Sequence, residues 1–125
     1  MELTKMLKKN YEFKNVLSKG KFYVGKKIKI VILNNKKDNN YLGIAIGTKN
    51  GKAFQRNRIK RLIREAYKNI ENSLVIGSDI VVLMKKNIDI KNLKYKDILE
   101  DMRNIFKNAE IIRKEEKIWK KYVYI

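Results

Sequence analysis

The chain contains no cysteine and no histidine among its 125 residues. Without cysteine it forms no disulfide and no thiolate nucleophile, and without histidine it lacks the usual base of a Ser-His or Cys-His nucleophile system. The common zinc sites depend on the same two residue types. These kinds of catalytic and zinc site are therefore excluded, and we assign no catalytic residue and no metal-binding residue from the sequence.

Acidic residues and long apolar runs are also scarce. Asp and Glu number 13 against 31 Lys and Arg, which leaves a formal net charge of +18 at pH 7. No apolar run approaches the length of a bilayer-spanning helix, and the amino terminus lacks the apolar core of a signal peptide. We therefore expect a cytoplasmic protein that binds no membrane. A chain of this length is most simply one domain, 1–125, with an aromatic tail at 114–125 that carries Trp119, Tyr122 and Tyr124.

The positive charge is unevenly distributed along the chain. Residues 39–64 include seven basic residues and no acidic one, whereas residues 87–116 contain seven of each. A general coding bias toward lysine would not empty one segment of acids and leave another neutral. The asymmetry indicates a surface that meets a polyanion, and nucleic acid is favoured over an anionic membrane surface.

Arginine is concentrated in a segment with helical periodicity. Residues 56–64 hold four of the six arginines, and arginine grips phosphate oxygens in pairs with a planar fork that lysine lacks. An apolar stripe recurs at helical spacing, formed by Ile59, Leu62, Ile63, Ala66, Tyr67 and Ile70. The opposite face holds Asn57, Arg61, Arg64 and Lys68, with Arg58 and Lys60 at its flanks and Arg56 at the helix start. We interpret this face as phosphate-binding; the simpler alternative is a solvated surface helix with incidental charge.

Apolar patterns predict the other elements. In chain order they are a helix at 11–18 ended by Gly20, strands at 22–24, 28–33 and 42–47, the arginine helix, a strand at 79–84, and a helix with the stripe Ile98, Met102, Ile105, Phe106 and Ala109. The third strand alternates large and small side chains, so something can approach its bare face closely. The strand at 79–84 is apolar throughout, which is typical of a central strand. The order α-β-β-β-α-β-α predicts an α+β single-domain sandwich with helices packed on a small mixed sheet.

The arginine segment also resembles a known family. Residues 51–66, which contain Arg56-Asn57-Arg58, resemble the signature of the protein subunit of bacterial ribonuclease P. The similarity continues, in the same order, in Lys8-Lys9-Asn10-Tyr11-Glu12-Phe13 with Gly20, in Leu42-Gly43-Ile44 and in Asp79-Ile80-Val81-Val82. It covers about residues 5 to 110.

The resemblance implies a fold, an activity and partners. The strand–helix–strand crossover would be left-handed, against the strong right-handed preference of such units. The chain would be the non-catalytic protein subunit of an endoribonuclease that removes the 5′ leader from precursor tRNA, with the chemistry carried by an RNA subunit. Its partners would be ribonuclease P RNA and precursor tRNA, with no obligate protein partner. The holoenzyme would require magnesium, held mainly by RNA, and the protein alone would bind no cofactor.

Carried over residue by residue, the resemblance implies two binding surfaces. The surface facing the RNA subunit consists of Lys49, Lys52, Arg56, Asn57, Arg58, Lys60, Arg61 and Arg64, to which the helical wheel alone adds Lys68. A cleft between the first helix and the sheet would receive the single-stranded leader through Phe13, Tyr11 and Leu17, because aromatic faces stack on bases of any sequence. A plain core role is the alternative for Phe13. Leu17 stands where the family commonly has an aromatic residue and offers only an apolar contact, and Phe54 stands where a smaller valine is typical.

Two other classes of protein remain open. A ribosomal or other structured-RNA binding protein would carry the same charge but would not affect precursor processing. A nuclease acting alone would need carboxylates that the fold brings together, and the acids are dispersed in the sequence. A helix-turn-helix DNA-binding protein fits poorly, because strands flank the arginine helix.

Overall fold

The computed structural model describes residues 3–113. Its elements are β1 (Thr4–Met6), α1 (Asn10–Lys19), β2 (Lys21–Val24), β3 (Ile28–Asn34), β4 (Asn40–Ala45), α2 (Ala53–Ile70), β5 (Ser78–Met84) and α3 (Tyr95–Asn108). Short 3₁₀ turns occur at Thr48–Asn50, Glu71–Ser73 and Ile90–Asn92. Of the helices in this part of the chain, none combines the length and apolarity that crossing a membrane requires. The aromatic tail at 114–125 lies outside the described residues.

The five strands form one mixed sheet in the order β1-β4-β5-β3-β2. β5 lies at the centre, parallel to β4 and antiparallel to β3, and it is buried on both faces, which confirms the prediction from its apolar run. β1 adds an edge strand, with Thr4 opposite Asn40 and Met6 opposite Leu42 in parallel register. The predicted order lacked β1, because three residues are too short to show a period-two pattern.

Helices cover both faces of the sheet. α2 and α3 pack on one face, and every residue of the predicted α2 stripe is buried there. The α3 stripe is buried except for Ala109, which caps the end of the helix and is half-buried. α1 covers the other face, where Val16 packs against Val31 and Val81. The predicted α+β sandwich is therefore confirmed.

The connection from β4 through α2 to β5 is a left-handed crossover. The Leu42 side chain lies in the core beneath α2, and its carbonyl oxygen accepts the N–H of Leu7, just after β1, at 2.8 Å. In a strand of L-residues viewed with the chain running upward and one side chain toward the viewer, the N–H and C=O of that residue point right. β1 therefore lies to the right of β4 and β5 to its left. The chain crosses in front of the sheet toward the left, against the usual preference.

A buried carboxylate joins α3 to the turn between β2 and β3. Asp101 is 4% exposed, and its oxygens accept the backbone N–H groups of Lys26, Lys27 and Ile28 at 2.9, 2.5 and 3.0 Å. A carboxylate removed from water needs such donors, because an unpaired buried charge is costly. Asp101 was not predicted to be a buried carboxylate. Its position between Ile98 and Ile105, on the apolar face of α3, was the signal that it is buried.

Candidate nucleic-acid interface

The arginine helix begins where two loops meet. Gly51, just before α2, has a φ of +120°, a region that favours glycine. A Cβ at this position would lie 2.5 Å from Ile90 Cδ1, so glycine also allows the loop at 88–93 to approach closely. Gln55 Oε1 then caps the helix by accepting the Lys52 N–H at 2.9 Å. These contacts fix the position from which the arginines project.

Three cationic side chains and one amide side chain form a ridge along the outer face of α2. This arginine ridge consists of Asn57, Arg61, Arg64 and Lys68, and all four are exposed, as the helical wheel predicted. Within residues 3–113, neither Arg61 nor Arg64 pairs with a carboxylate or donates a side-chain hydrogen bond. Their guanidinium groups are therefore open to an external anion.

The two arginines of the Arg56-Asn57-Arg58 segment are placed differently from the ridge. Both are half-buried. Arg56 Nη1 donates to the Gly51 carbonyl at 2.7 Å, while Arg58 donates to the carbonyls of Ile90 and Leu93 at 3.4 and 2.8 Å. Each guanidinium has five N–H donors, so each retains donors for a second partner. These two residues hold the neighbouring loops against α2, a role that the sequence pattern did not predict.

Further basic residues lie together at one end of the sheet. Because β1 and β4 are parallel, α1 and α2 both begin at this end, which also holds the β2–β3 turn and the end of β5. We call this end the rim; its lysines are Lys8, Lys9, Lys26, Lys27, Lys49, Lys52, Lys85 and Lys86. Lys60, which was also predicted to face RNA, is half-buried on α2 and belongs to neither the ridge nor the rim. The rim thus extends the cationic surface beyond the ridge.

Two acids near the rim are engaged in local hydrogen bonds. Glu12 accepts the backbone N–H groups of Lys9 and Lys8 at 2.8 and 3.1 Å, and these bonds lower the pKa of its carboxyl. Asp89 accepts from the Asn92 side chain at 2.7 Å, which lowers the pKa of Asp89 in the same way. Both carboxylates therefore fix local turns while remaining charged at neutral pH.

A partly exposed apolar surface lies where α1 packs on the sheet. Phe13 and Leu17 are half-buried over a buried cluster, together with Leu33, Tyr41, Ala45 and Leu83. The Phe13 ring covers Gly43, where an added Cβ would lie 2.6 Å from the ring carbon Cε1. This contact confirms the expectation that something approaches the bare face of the third predicted strand. We call this surface the α1 groove.

Tyr11 stands apart from the other two predicted groove residues. Phe13 and Leu17 are four residues apart and share one face of α1, whereas a residue two positions before Phe13 points elsewhere. Tyr11 is 67% exposed, and Lys9 Nζ lies 5.7 Å from its ring centroid. The fold therefore brings Phe13 and Leu17 together and leaves Tyr11 at the rim, where α1 begins.

The described part of the chain offers few ligands for a metal ion. Within residues 3–113, no three His, Cys, Asp or Glu side chains come together in a group that could hold a metal. The ridge, the rim and the α1 groove remain the candidate functional surfaces.

These features define a small, strongly basic α+β protein with an exposed arginine face on one side of its sheet and the apolar α1 groove on the other. Residues 1–110 match the Ribonuclease P family. The chain is 40% identical over 109 residues to the ribonuclease P protein component of Clostridioides difficile (strain 630), covering 86% of this chain and 94% of that protein. It is 43% identical over 108 residues to the ribonuclease P protein component of Fusobacterium nucleatum subsp. nucleatum, covering 85% and 97%. The chain belongs to the ribonuclease P protein family, as its sequence signature predicted.

Solved structures of the same family share the fold. The RNase P protein of Staphylococcus aureus superposes with a TM-score of 0.75 at 29% identity, covering 86% of this chain and 97% of that one. The RNase P protein from Thermotoga maritima gives a TM-score of 0.76 at 26% identity, covering 83% and 96%. The likeness thus extends over nearly the whole length of both solved chains.

Proposed function

We propose that this chain is the RNA-binding, non-catalytic subunit of a cytoplasmic ribonuclease P, which assists a catalytic RNA in removing the 5′ leader from precursor tRNA. Family membership supports this proposal, and the arginine ridge is the observation that carries it. Arg61 and Arg64 project from a packed helix with no acidic partner in the described residues. Such guanidinium groups bind phosphate oxygens in pairs.

Ribonuclease P RNA is the partner that we assign to the ridge and to the basic residues beside it. The surface comprises Lys49, Lys52, Arg56, Asn57, Arg58, Lys60, Arg61, Arg64 and Lys68. Neutralising RNA phosphates releases condensed counterions, which favours binding. A protein of charge +18 placed between two RNAs also reduces their mutual repulsion, and so lowers the magnesium concentration at which they dock.

The α1 groove is the site that we assign to the single-stranded leader of precursor tRNA. The exposed part of the Phe13 ring offers a face for stacking, which tolerates any base sequence. Leu17 adds an apolar contact, and Tyr11 stands at the rim where the leader would enter. Mature tRNA has no leader, so this site would raise affinity for precursor over product.

The non-catalytic assignment rests on the chemistry of the chain. It has no histidine or cysteine, and the carboxylates of residues 3–113 do not group into a metal site. A protein nuclease generally needs one or the other. We therefore assign the magnesium ions of the holoenzyme mainly to its RNA, and no step of the reaction to a protein side chain.

Cleavage of a labelled precursor tRNA tests this function. A bacterial ribonuclease P RNA is incubated with substrate at low magnesium, with and without the protein, beside protein alone. We expect a product cut at the mature 5′ end only when RNA and protein are both present. Binding without stimulation would make the chain a structural RNA-binding protein, and cleavage by the protein alone would contradict the non-catalytic role.

A further inference from the structure

Phe54 is a conspicuously exposed apolar side chain next to the arginine ridge. It is the second residue of α2 and is 70% exposed. Single exposed apolar residues are common on protein surfaces. Phe54, however, forms one wall of a cavity of about 290 Å³, whose other walls are Gln55, Arg58, Ile90 and Lys91. The ring therefore faces a defined space that it does not fill.

The cavity is held open by contacts between α2 and the loop at 88–93. Arg58 donates to the carbonyls of Ile90 and Leu93, which ties the loop to the helix at a set distance. The Ile90 side chain packs closely against Gly51 from the other side. The cavity thus forms part of the folded protein, and its volume is at the lower end of ligand sites, about 300 Å³ and above.

The walls combine an aromatic face with positive charge. Phe54 and Ile90 are apolar, whereas Arg58 and Lys91 are cationic. Asp89 lies in the same turn, but its carboxylate accepts from Asn92 and from the Lys91 N–H. A flat ring that carries its own phosphate satisfies both kinds of wall, and an unpaired nucleotide is such a ligand. An acidic peptide would match the charge but would leave the aromatic wall without a stacking partner.

We propose that Phe54, Ile90, Arg58 and Lys91 form a binding site for one unpaired nucleotide of RNA. Its base stacks on the Phe54 ring, and its phosphate contacts Lys91. This site rests on the proposed function. It adds to the phosphate contacts of the arginine ridge a stacking contact with one unpaired base. The nucleotide belongs either to ribonuclease P RNA or to precursor tRNA, and the chemistry of recognition is the same for both.

Two measurements test the stacking contact: the affinity of the protein for ribonuclease P RNA and the affinity of the assembled ribonucleoprotein for precursor tRNA. Phe54→Ala should weaken one of these two interactions about 5- to 140-fold, the range for loss of one stacked base. Phe54→Val, which places the smaller residue that the family signature suggests, should weaken it similarly, while Phe54→Tyr should bind like the unmodified protein. The salt dependence should stay unchanged in all three variants, because no charge is removed. Equal affinities of the alanine and tyrosine variants in both measurements, with both variants folded by circular dichroism, would overturn the proposal.

Fluorescence identifies the RNA that supplies the base. The chain has a single tryptophan, so Phe54→Trp combined with Trp119→Phe leaves one tryptophan, at the cavity, which is excited selectively over the tyrosines. Quenching on addition of ribonuclease P RNA would assign the base to that RNA, and quenching only after precursor tRNA is added would assign it to the substrate. No quenching by either RNA, in a protein that still binds both, would overturn this site and leave the proposed function standing. Failure of the unmodified protein to bind ribonuclease P RNA would instead contradict the proposed function.

Discussion

Replacing Arg61 and Arg64 with alanine is expected to weaken binding of ribonuclease P RNA and to flatten its salt dependence. Both side chains are exposed and unpaired within residues 3–113, so their removal breaks no described contact. Each phosphate contact contributes about 0.7 to 0.9 to the slope of log affinity against log salt. Loss of two contacts should therefore lower the slope by about 1.4 to 1.8. If the variant and the unmodified protein bind equally well at about 1 M salt, this difference in slope makes the variant bind about 25- to 60-fold more weakly at about 0.1 M salt.

The assay is equilibrium binding of labelled ribonuclease P RNA between about 50 and 200 mM salt at constant magnesium. The matched control is Lys96→Ala with Lys107→Ala, which removes two charges from exposed positions of α3. We expect the control to retain most of the affinity and slope of the unmodified protein. Equal effects in the two double variants would show that net charge, and not the ridge, drives binding. A changed circular dichroism spectrum in the α2 variant would refute the premise that these arginines are not needed for folding.

Three further predictions concern the groove, the core and the buried tyrosine. Phe13→Ala should reduce the preference for leader-bearing over leaderless tRNA in competition binding, whereas Tyr11→Ala should largely keep it; equal loss would contradict the groove assignment. Asp101→Ala should lower the free energy of unfolding in urea by about 2 to 4 kcal/mol, because the N–H groups of Lys27 and Ile28 lose their acceptor. Asp101→Asn should lower it less. An unchanged free energy of unfolding in Asp101→Ala would refute a stabilising role for these hydrogen bonds. Burial raises the pKa of Tyr67 to about 12 from 10.0, so the folded state favours the neutral phenol. The contribution of this preference to the free energy of unfolding is complete below pH 10 and is lost as the pH rises toward the folded-state pKa. Tyr67→Phe should not show this loss of stability at alkaline pH. An identical dependence of the free energy of unfolding on pH in both proteins would contradict its assignment to Tyr67.

The sequence alone determined which residues of α2 are buried and which are exposed. The stripe from Ile59 to Ile70 and the ridge that includes Arg61 and Arg64 follow from a period of 3.6 residues, and both were confirmed. The central strand at 79–84 was recognisable because a strand buried on both faces needs an unbroken apolar run. The family was recognisable because its signature is a continuous segment. Each of these features is local along the chain.

Only the tertiary structure decided which distant residues meet. Asp101 clamps a turn 73 to 75 residues away, and the Thr4 hydroxyl lies 2.7 Å from the Tyr67 hydroxyl across 63 residues. Arg58 was predicted to face RNA, yet part of its donor set holds the Leu93 carbonyl and so shapes the cavity beside Phe54. Periodicity records that a side chain is buried or exposed, but its partner depends on how sheet and helices pack. The sequence alone therefore determined the cationic face of this protein, while the packing of α2 against the loop at 88–93 decided that Arg58 also holds that loop in place.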